Sequence, residues 1–267
     1  MEPESPMPPP SLCASCGSPL RTGAGFCSAC GHRAGDPPPA VRKIAPPPHR
    51  SRRVAEGLRD VRFVIGFYVA LLGIQILTAL FASSTEQAFP ALVVGDVLFG
   101  ALVVNVAVLR RRDVIPLCVR AGFGVRGYGL IVLAAPLVFA AVHLFAAGLQ
   151  RVFHAPNAGY LDDFEGRGFG WAVWLIAVNP ALFEELAFRG LLFGALIRRV
   201  GLVETLAVTS VAFAILHLSP IMLPTHVGLG LYLGWLRHRS GSLYPAMTAH
   251  FLHNLLVILD ERCRWLS

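Results

Sequence analysis

The sequence predicts an all-α fold: a polytopic transmembrane helical bundle of seven to eight spans behind a small cysteine-rich N-terminal segment. The 267 residues are 55% hydrophobic and 15% charged, with a mean hydropathy of +0.60, which a soluble domain of this size rarely shows. Several apolar runs approach the roughly 20 residues that cross a bilayer as a helix. Arginines gather at the ends of these runs. We therefore expect a multi-pass protein of the cell (inner) membrane.

The N-terminal segment carries one cysteine motif twice, as Cys13-Ala-Ser-Cys16-Gly and as Cys27-Ser-Ala-Cys30-Gly. Each cysteine pair offers two thiolates to one tetrahedral ion, and the glycine that follows lets the backbone turn tightly around the sulfur atoms. We therefore predict a zinc ribbon in residues 1–35, with Zn²⁺ held by all four cysteines. Two disulfides are the alternative, which a cytoplasmic location disfavours.

Residues 36–53 are rich in proline and arginine and contain two Pro-Pro-Pro runs, which favours an extended linker. Residues 54–267 form the predicted membrane domain. The first forty residues contain no apolar stretch of the secretory type, so the N-terminus is expected to stay in the cytoplasm.

The predicted spans are residues 63–82, 89–109, 130–149, 170–197, 202–218, 223–236 and 244–259. Loops with arginines alternate with loops that have few, which places the N-terminus inside and the loop 151–168 outside. The stretch 170–197 would be about 42 Å long as a helix, longer than a hydrocarbon core of about 30 Å. Pro180 should kink or break it and free a carbonyl, and the surplus length leaves room for an eighth span.

This long stretch contains Glu184, Glu185 and Arg189. A charged side chain inside a membrane costs about 2.5–3.5 kcal/mol even on insertion scales. Glu185 and Arg189 can pair because they stand four residues apart on a helix. Glu184 points about 100° away and has no local cation. We therefore predict a functional site at Glu184; the alternative is a purely structural cluster of ion pairs.

Two later spans add His217 and the pair His250 and Asn254, which share one helix face. A carboxylate and two imidazoles can act as a general base on water, stabilise an oxyanion, or bind a metal that does both. Peptide hydrolysis fits all three possibilities. The sequence has neither a Gly-x-Ser-x-Gly nor a His-Glu-x-x-His motif, so it supports neither a serine hydrolase nor the best-known type of zinc protease. His143, in the third span, is interpreted as a packing residue.

The polar groups fall into three motifs that resemble those of the CPBP intramembrane proteases. The motifs are Glu184-Glu185-x-x-Phe188-Arg189-Gly190, Phe213-x-x-x-His217 and His250-x-x-x-Asn254. That family, also called Abi or CAAX-protease-like, includes eukaryotic endopeptidases that trim prenylated CAAX proteins and bacterial members linked to bacteriocin self-immunity. The resemblance covers residues 170–259.

The resemblance implies a fold of eight transmembrane helices and a role for each motif residue. Glu184 and His217 would activate the attacking water, while His250 and Asn254 would lie at the oxyanion. Glu185 and Arg189 complete the implied catalytic site. Whether a metal takes part in the active site stays open.

We therefore expect an enzyme: a glutamate-dependent intramembrane endopeptidase, a hydrolase of the CAAX-protease-like type. Its expected partners are membrane lipid and a membrane-associated peptide or protein substrate. No nucleic-acid partner is expected despite the formal charge of +7, because the arginines lie at the ends of apolar runs. The alternatives are a non-catalytic scaffold or bacteriocin-immunity protein, and an ion or proton transporter that uses Glu184 and the histidines as a relay.

Overall fold

A computed structural model of the chain describes residues 11–15, 17–29, 31–36, 50–82, 88–154, 159 and 161–265. Contacts divide the chain into two compact units, Met1–His49 and Arg50–Ser267. The boundaries expected for the ribbon, the linker and the membrane domain stay predictions.

In the first unit, the two cysteine motifs begin with the same turn. The Gly17 N–H donates to the Cys13 carbonyl at 2.9 Å, and the Gly31 N–H donates to the Cys27 carbonyl at 2.8 Å. Both glycines have φ of +73°, a left-handed conformation that residues with a Cβ rarely adopt. An antiparallel bridge joins the two ends of each turn. The second unit is built differently.

Eight helices make up most of the described part of the second unit. They are α1 (Arg50–Phe81), α2 (Ala88–Leu109), α3 (Arg111–Cys118), α4 (Val125–Phe153), α5 (Phe169–Leu196), α6 (Leu202–Leu216), α7 (Leu223–Ser240) and α8 (Tyr244–Cys263). The connections between them are short except the one before α5, which contains a short 3-10 helix, Asp162–Phe164.

Four of these helices are long and apolar enough to cross a membrane: α1 from Gly57 onward, α2, α4 and α5. Helix α6 is apolar but shorter. The all-helical membrane bundle is thus confirmed for the described residues, while the count of seven to eight spans stays a prediction. Helix α3 was not predicted, because its three leading residues, Arg111, Arg112 and Asp113, resemble a charged loop.

Helix α5 runs through the stretch in which a break or an eighth span was expected. It contains two wider, π-helical segments, Val173–Val178 and Leu186–Leu192. In such a segment the hydrogen bonds skip one more residue: the Asn179 N–H reaches the Trp174 carbonyl, five positions back. Helix α5 therefore stays continuous, and its departures from regular α-helical geometry are confined to these two segments.

Pro180 frees a backbone carbonyl, as the sequence predicted. Proline has no N–H, so the Ile176 carbonyl four residues earlier loses its usual helical donor. The Asn254 side chain of α8 replaces that donor, with 2.8 Å between its Nδ2 and the Ile176 oxygen. The proline thus creates a bond between two helices instead of a break.

One end of the bundle is held together by polar contacts of its loops. Asp60, near the start of the apolar part of α1 at Gly57, pairs with Arg199 at 2.8 Å and with Arg110 at 3.6 Å. Between α7 and α8, the Ser242 hydroxyl donates to the Arg120 carbonyl. We call this the arginine-rich end; its arginines are Arg59, Arg62, Arg110, Arg111, Arg112, Arg120, Arg126, Arg198, Arg199, Arg237 and Arg239.

The opposite end joins the start of α2 to the segment before α5 and to the end of α8. The Phe89 ring meets the Phe164 ring edge-on at 6.0 Å, and the Leu161 N–H donates to Glu261 at 2.9 Å. We call it the acidic end, after Asp162, Asp163, Glu165, Asp260 and Glu261; its arginines are Arg151, Arg167, Arg262 and Arg264.

Candidate active site

A cavity of about 1210 Å³ lies inside the helical unit. Its wall is formed by helices α1, α2, α4, α5, α7 and α8, by the end of α6 and by the turn that follows α6. Four of the six side chains that the sequence singled out lie on that wall: Glu184, His217, His250 and Asn254. The three motifs thus meet in one place.

Glu185 and Arg189 are the other two, and they lie behind the wall. Glu185 is 0% exposed and Arg189 is 1% exposed. The Arg189 Nη1 donates to Glu185 Oε1 at 2.9 Å, as the spacing of four residues predicted. The same oxygen accepts a second bond, from His250 Nδ1, also at 2.9 Å. Glu185 is therefore the buried link between the first motif and the third.

Arg189 also joins α5 to α7. Its Nη2 donates to the Gly230 carbonyl at 3.1 Å. In return, Arg237 Nε of α7 donates to the Arg189 carbonyl at 3.2 Å, within a π-helical segment where regular helical bonding is interrupted. Gly230 allows the close approach of α7 to α6, because a Cβ there would lie 2.9 Å from the Ser210 Cα.

The Phe213 ring explains why the motifs contain aromatic residues. It is fully buried and contacts a ring of each motif: Phe188 at 5.4 Å, His217 at 4.8 Å and His250 at 5.8 Å between centroids. The Arg189 guanidinium lies 4.4 Å from its centre, a favourable cation–π distance. Phe213 thus fixes the relative positions of the polar side chains.

Glu184 differs from its neighbour in where it lies. It is on the cavity wall, whereas Glu185 lies behind that wall. The Oε2 atoms of both glutamates have no hydrogen-bond partner among the residues that the structure describes, and Glu185 is held through its Oε1. Asp96 of α2 lines the same cavity, as do Asp260 and Glu261 of α8. Glu184 is thus available to a water molecule or a substrate, whereas Glu185 is committed to Arg189 and His250.

His217 has a defined tautomer. Its Nδ1 lies 2.9 Å from the Phe213 carbonyl, which can only accept, so Nδ1 carries the hydrogen. In the neutral ring, Nε2 is then a proton acceptor. An imidazole held in this way is suited to accept a hydrogen bond from water in the cavity.

Sequence reasoning missed His226, on the first turns of α7. Its Nδ1 bonds to the Met222 carbonyl at 2.8 Å, and its ring lies on the His217 ring with 4.0 Å between centroids. The two histidines therefore present the same kind of acceptor nitrogen to the cavity. A histidine inside a short apolar span was the available signal.

His143 and His253 line the cavity as well. His143 Nε2 lies 3.7 Å from Asp260 Oδ2. His143 was predicted to be a packing residue, and it does pack on the Phe139 ring at 5.4 Å. Within the described ranges, no three His, Cys, Asp or Glu side chains are arranged to hold a metal ion.

Residues 166–256 match the model of a family described as Rce1-like, type II CAAX prenyl endopeptidase. A search of curated proteins found no match, and no solved structure matched. The match contains all three motifs. It confirms the expectation of an enzyme, an endopeptidase and hydrolase of the CAAX-prenyl-protease type, and in general terms that of a multi-pass membrane protein.

Proposed function

We propose that the protein is a glutamate-dependent endopeptidase of the cell (inner) membrane, with a cytoplasmic N-terminus, which hydrolyses a peptide bond of a membrane-associated protein or peptide. The observation that carries the proposal is the contrast between the two glutamates. Glu185 lies behind the wall, and its Oε1 accepts bonds from Arg189 and His250, while Glu184 faces the cavity that His217 also lines. A carboxylate and a neutral imidazole that line the same cavity can together activate a water molecule.

In the proposed reaction, a water molecule in the cavity donates one hydrogen bond to Glu184 and the other to His217 Nε2. Glu184 takes a proton as the water oxygen attacks the carbonyl carbon, which gives a tetrahedral intermediate and a neutral Glu184. When the carbon–nitrogen bond breaks, Glu184 returns this proton to the leaving nitrogen. The net change is addition of one water to one peptide bond.

Charge that develops on the carbonyl oxygen needs a donor. Asn254 carries two hydrogens on Nδ2, and the bond to Ile176 uses one of them. Its second hydrogen is a candidate donor to the oxyanion. His250 can donate from Nε2 only as an imidazolium, since its Nδ1 hydrogen faces Glu185. The buried Glu185 carboxylate then compensates the imidazolium charge.

The N-terminal unit is proposed to bind one zinc ion through Cys13, Cys16, Cys27 and Cys30. Cys16 and Cys30 lie outside the described residues. Cys13 and Cys27 are buried, and the Ser15 N–H lies 3.4 Å from Cys13 Sγ, a contact that suits a thiolate. With the repeated turns and left-handed glycines, these features fit a zinc site that stabilises the fold of the ribbon.

A product search by mass spectrometry tests the proposed activity. Membranes with the wild-type chain would be compared with membranes that carry Glu184→Gln, and Glu204→Gln serves as the matched control because Glu204 is an exposed carboxylate at the start of α6. We expect peptides that appear with wild type and Glu204→Gln and vanish with Glu184→Gln.

The same comparison separates the alternatives. A scaffold or immunity protein would keep its biological effect in Glu184→Gln and would yield no new peptides. A transporter would instead show ion or proton flux in liposomes that depends on Glu184, again without peptide products.

A further inference from the structure

The cavity is confined to one half of the helical unit. In α4 its first lining residue is Phe139, 14 residues and about 21 Å beyond the helix start at Val125. In α1 it is Gln75, 13 residues and about 20 Å beyond Arg62 of the arginine-rich end. In both helices, therefore, only the half nearer the acidic end lines the cavity.

The shorter helices agree with this. Helix α7 lines the cavity with residues 222–229, before its closing Arg237 and Arg239, and α8 lines it with residues 250–261. His250 lies six residues, about 9 Å, from the start of α8 at the arginine-rich end, and Glu261 is nearly at the opposite end. His250 therefore lies on the floor of the cavity, and the rim is at the acidic end.

The rim is polar and continuous with the surface of the acidic end. It includes Gln150, Arg151 and His154 at the end of α4, and Glu261 of α8. Of the arginines that the structure describes, Arg151 alone lines the cavity, and it belongs to the acidic end. The arginine-rich end contributes none of its arginines to the wall.

Arginine enrichment in short loops marks the cytoplasmic side of a membrane protein. We infer that the active site opens away from the cytoplasm, so that its substrate is a polypeptide segment exposed at the outer side of the membrane, either of an exported protein or at the outer end of a membrane anchor. This inference rests on the proposed function.

The depth of the cavity adds a requirement on that segment. From Glu261 at the rim to His250 on the floor, 11 residues of α8 span about 16 Å. An extended peptide covers about 3.3 Å per residue, so about five residues must enter before the scissile bond reaches the level of His250. The substrate is therefore an unfolded end or an extended strand, and a folded loop of fewer residues is excluded.

Cysteine labelling tests the sidedness without any need for activity. Ala147→Cys places a thiol on the cavity wall of α4, and Leu144→Cys, on an exposed apolar position of the same helix, is its matched control. Both are made in a chain in which all six native cysteines, including the four of the predicted ribbon, are replaced by serine. A membrane-impermeant maleimide should label Ala147→Cys in intact cells and leave Leu144→Cys unlabelled. Labelling of Ala147→Cys only in inverted vesicles overturns the inference.

Cleavage tests the substrate class. A library of fluorescence-quenched decapeptides would be supplied to detergent-solubilised protein, to right-side-out vesicles and to inverted vesicles. We expect cleavage in detergent and in right-side-out vesicles, with at least a tenfold lower rate in inverted vesicles. Cleavage in detergent and in inverted vesicles alone contradicts the inference and leaves the proposed function standing. No cleavage in any preparation contradicts the proposed function itself, while the labelling result still decides the sidedness.

Discussion

Replacing Glu185 by leucine should destabilise the membrane domain strongly. The substitution leaves the Arg189 guanidinium, which is 1% exposed, without its counter-charge. Removing one partner of a buried ion pair costs about 3–5 kcal/mol. In a domain of this size 1 kcal/mol corresponds to about 2–4 °C, so the melting temperature in detergent should fall by about 6–20 °C.

A double-mutant cycle assigns this loss to the ion pair. Arg189→Met should be about as harmful as Glu185→Leu, and the double variant should be no worse than the poorer single variant, which corresponds to a coupling of about 3 kcal/mol. Asp113→Leu is the control, because Asp113 pairs with Arg198 at 3.5 Å with both side chains about 40% exposed. Such a surface pair is worth about 1 kcal/mol or less. Strictly additive effects of Glu185→Leu and Arg189→Met would refute the reasoning.

Three further predictions concern the helix contacts and the ribbon. Asn254→Leu leaves the Ile176 carbonyl without its donor and should lower the stability by about 1–3 kcal/mol, which a thermal melt in detergent measures; an unchanged melt would show that this bond is dispensable. Gly230→Ala places a Cβ 2.9 Å from the Ser210 Cα and should cost about 1–3 kcal/mol, whereas Gly228→Ala meets no atom within 4 Å and should change little; equal melts would contradict the close approach of α6 and α7. A purified fragment of residues 1–45 should hold one zinc per chain by elemental analysis, and a metal-free fragment after reducing purification would rule out the ribbon.

The position of the two glutamates could be predicted because a helix has a fixed period. Glu185 and Arg189 are four residues apart and therefore meet, and Glu184 faces another direction. The freed carbonyl could be predicted from Pro180 for a similar reason, since the missing N–H is a property of the residue alone. Local chemistry of this kind survives in almost any tertiary context.

Other features depend on contacts between distant segments. The hydrogen bond from His250 to Glu185 joins residues that are 65 positions apart, and no pattern in either motif predicts it. The stacking of His226 on His217 depends on the crossing of α6 and α7, so His226 looked like an ordinary residue of a short apolar span. The sequence also did not predict that α5 is continuous, because a π-helical segment has no compositional signature distinct from that of an α-helix.

The division of roles between the two glutamates is the central claim, and one paired measurement tests it. Glu184→Gln and Glu185→Gln are each assayed for folded fraction in detergent and for peptide cleavage per folded molecule. We predict that Glu184→Gln folds like wild type and loses at least about 100-fold in turnover, as removal of a general base should. Glu185→Gln should lose folded protein at least as much as turnover, since it removes the charge that Arg189 requires. If both variants fold equally well and Glu184→Gln cleaves at the wild-type rate, Glu184 is not the catalytic base and the account is wrong.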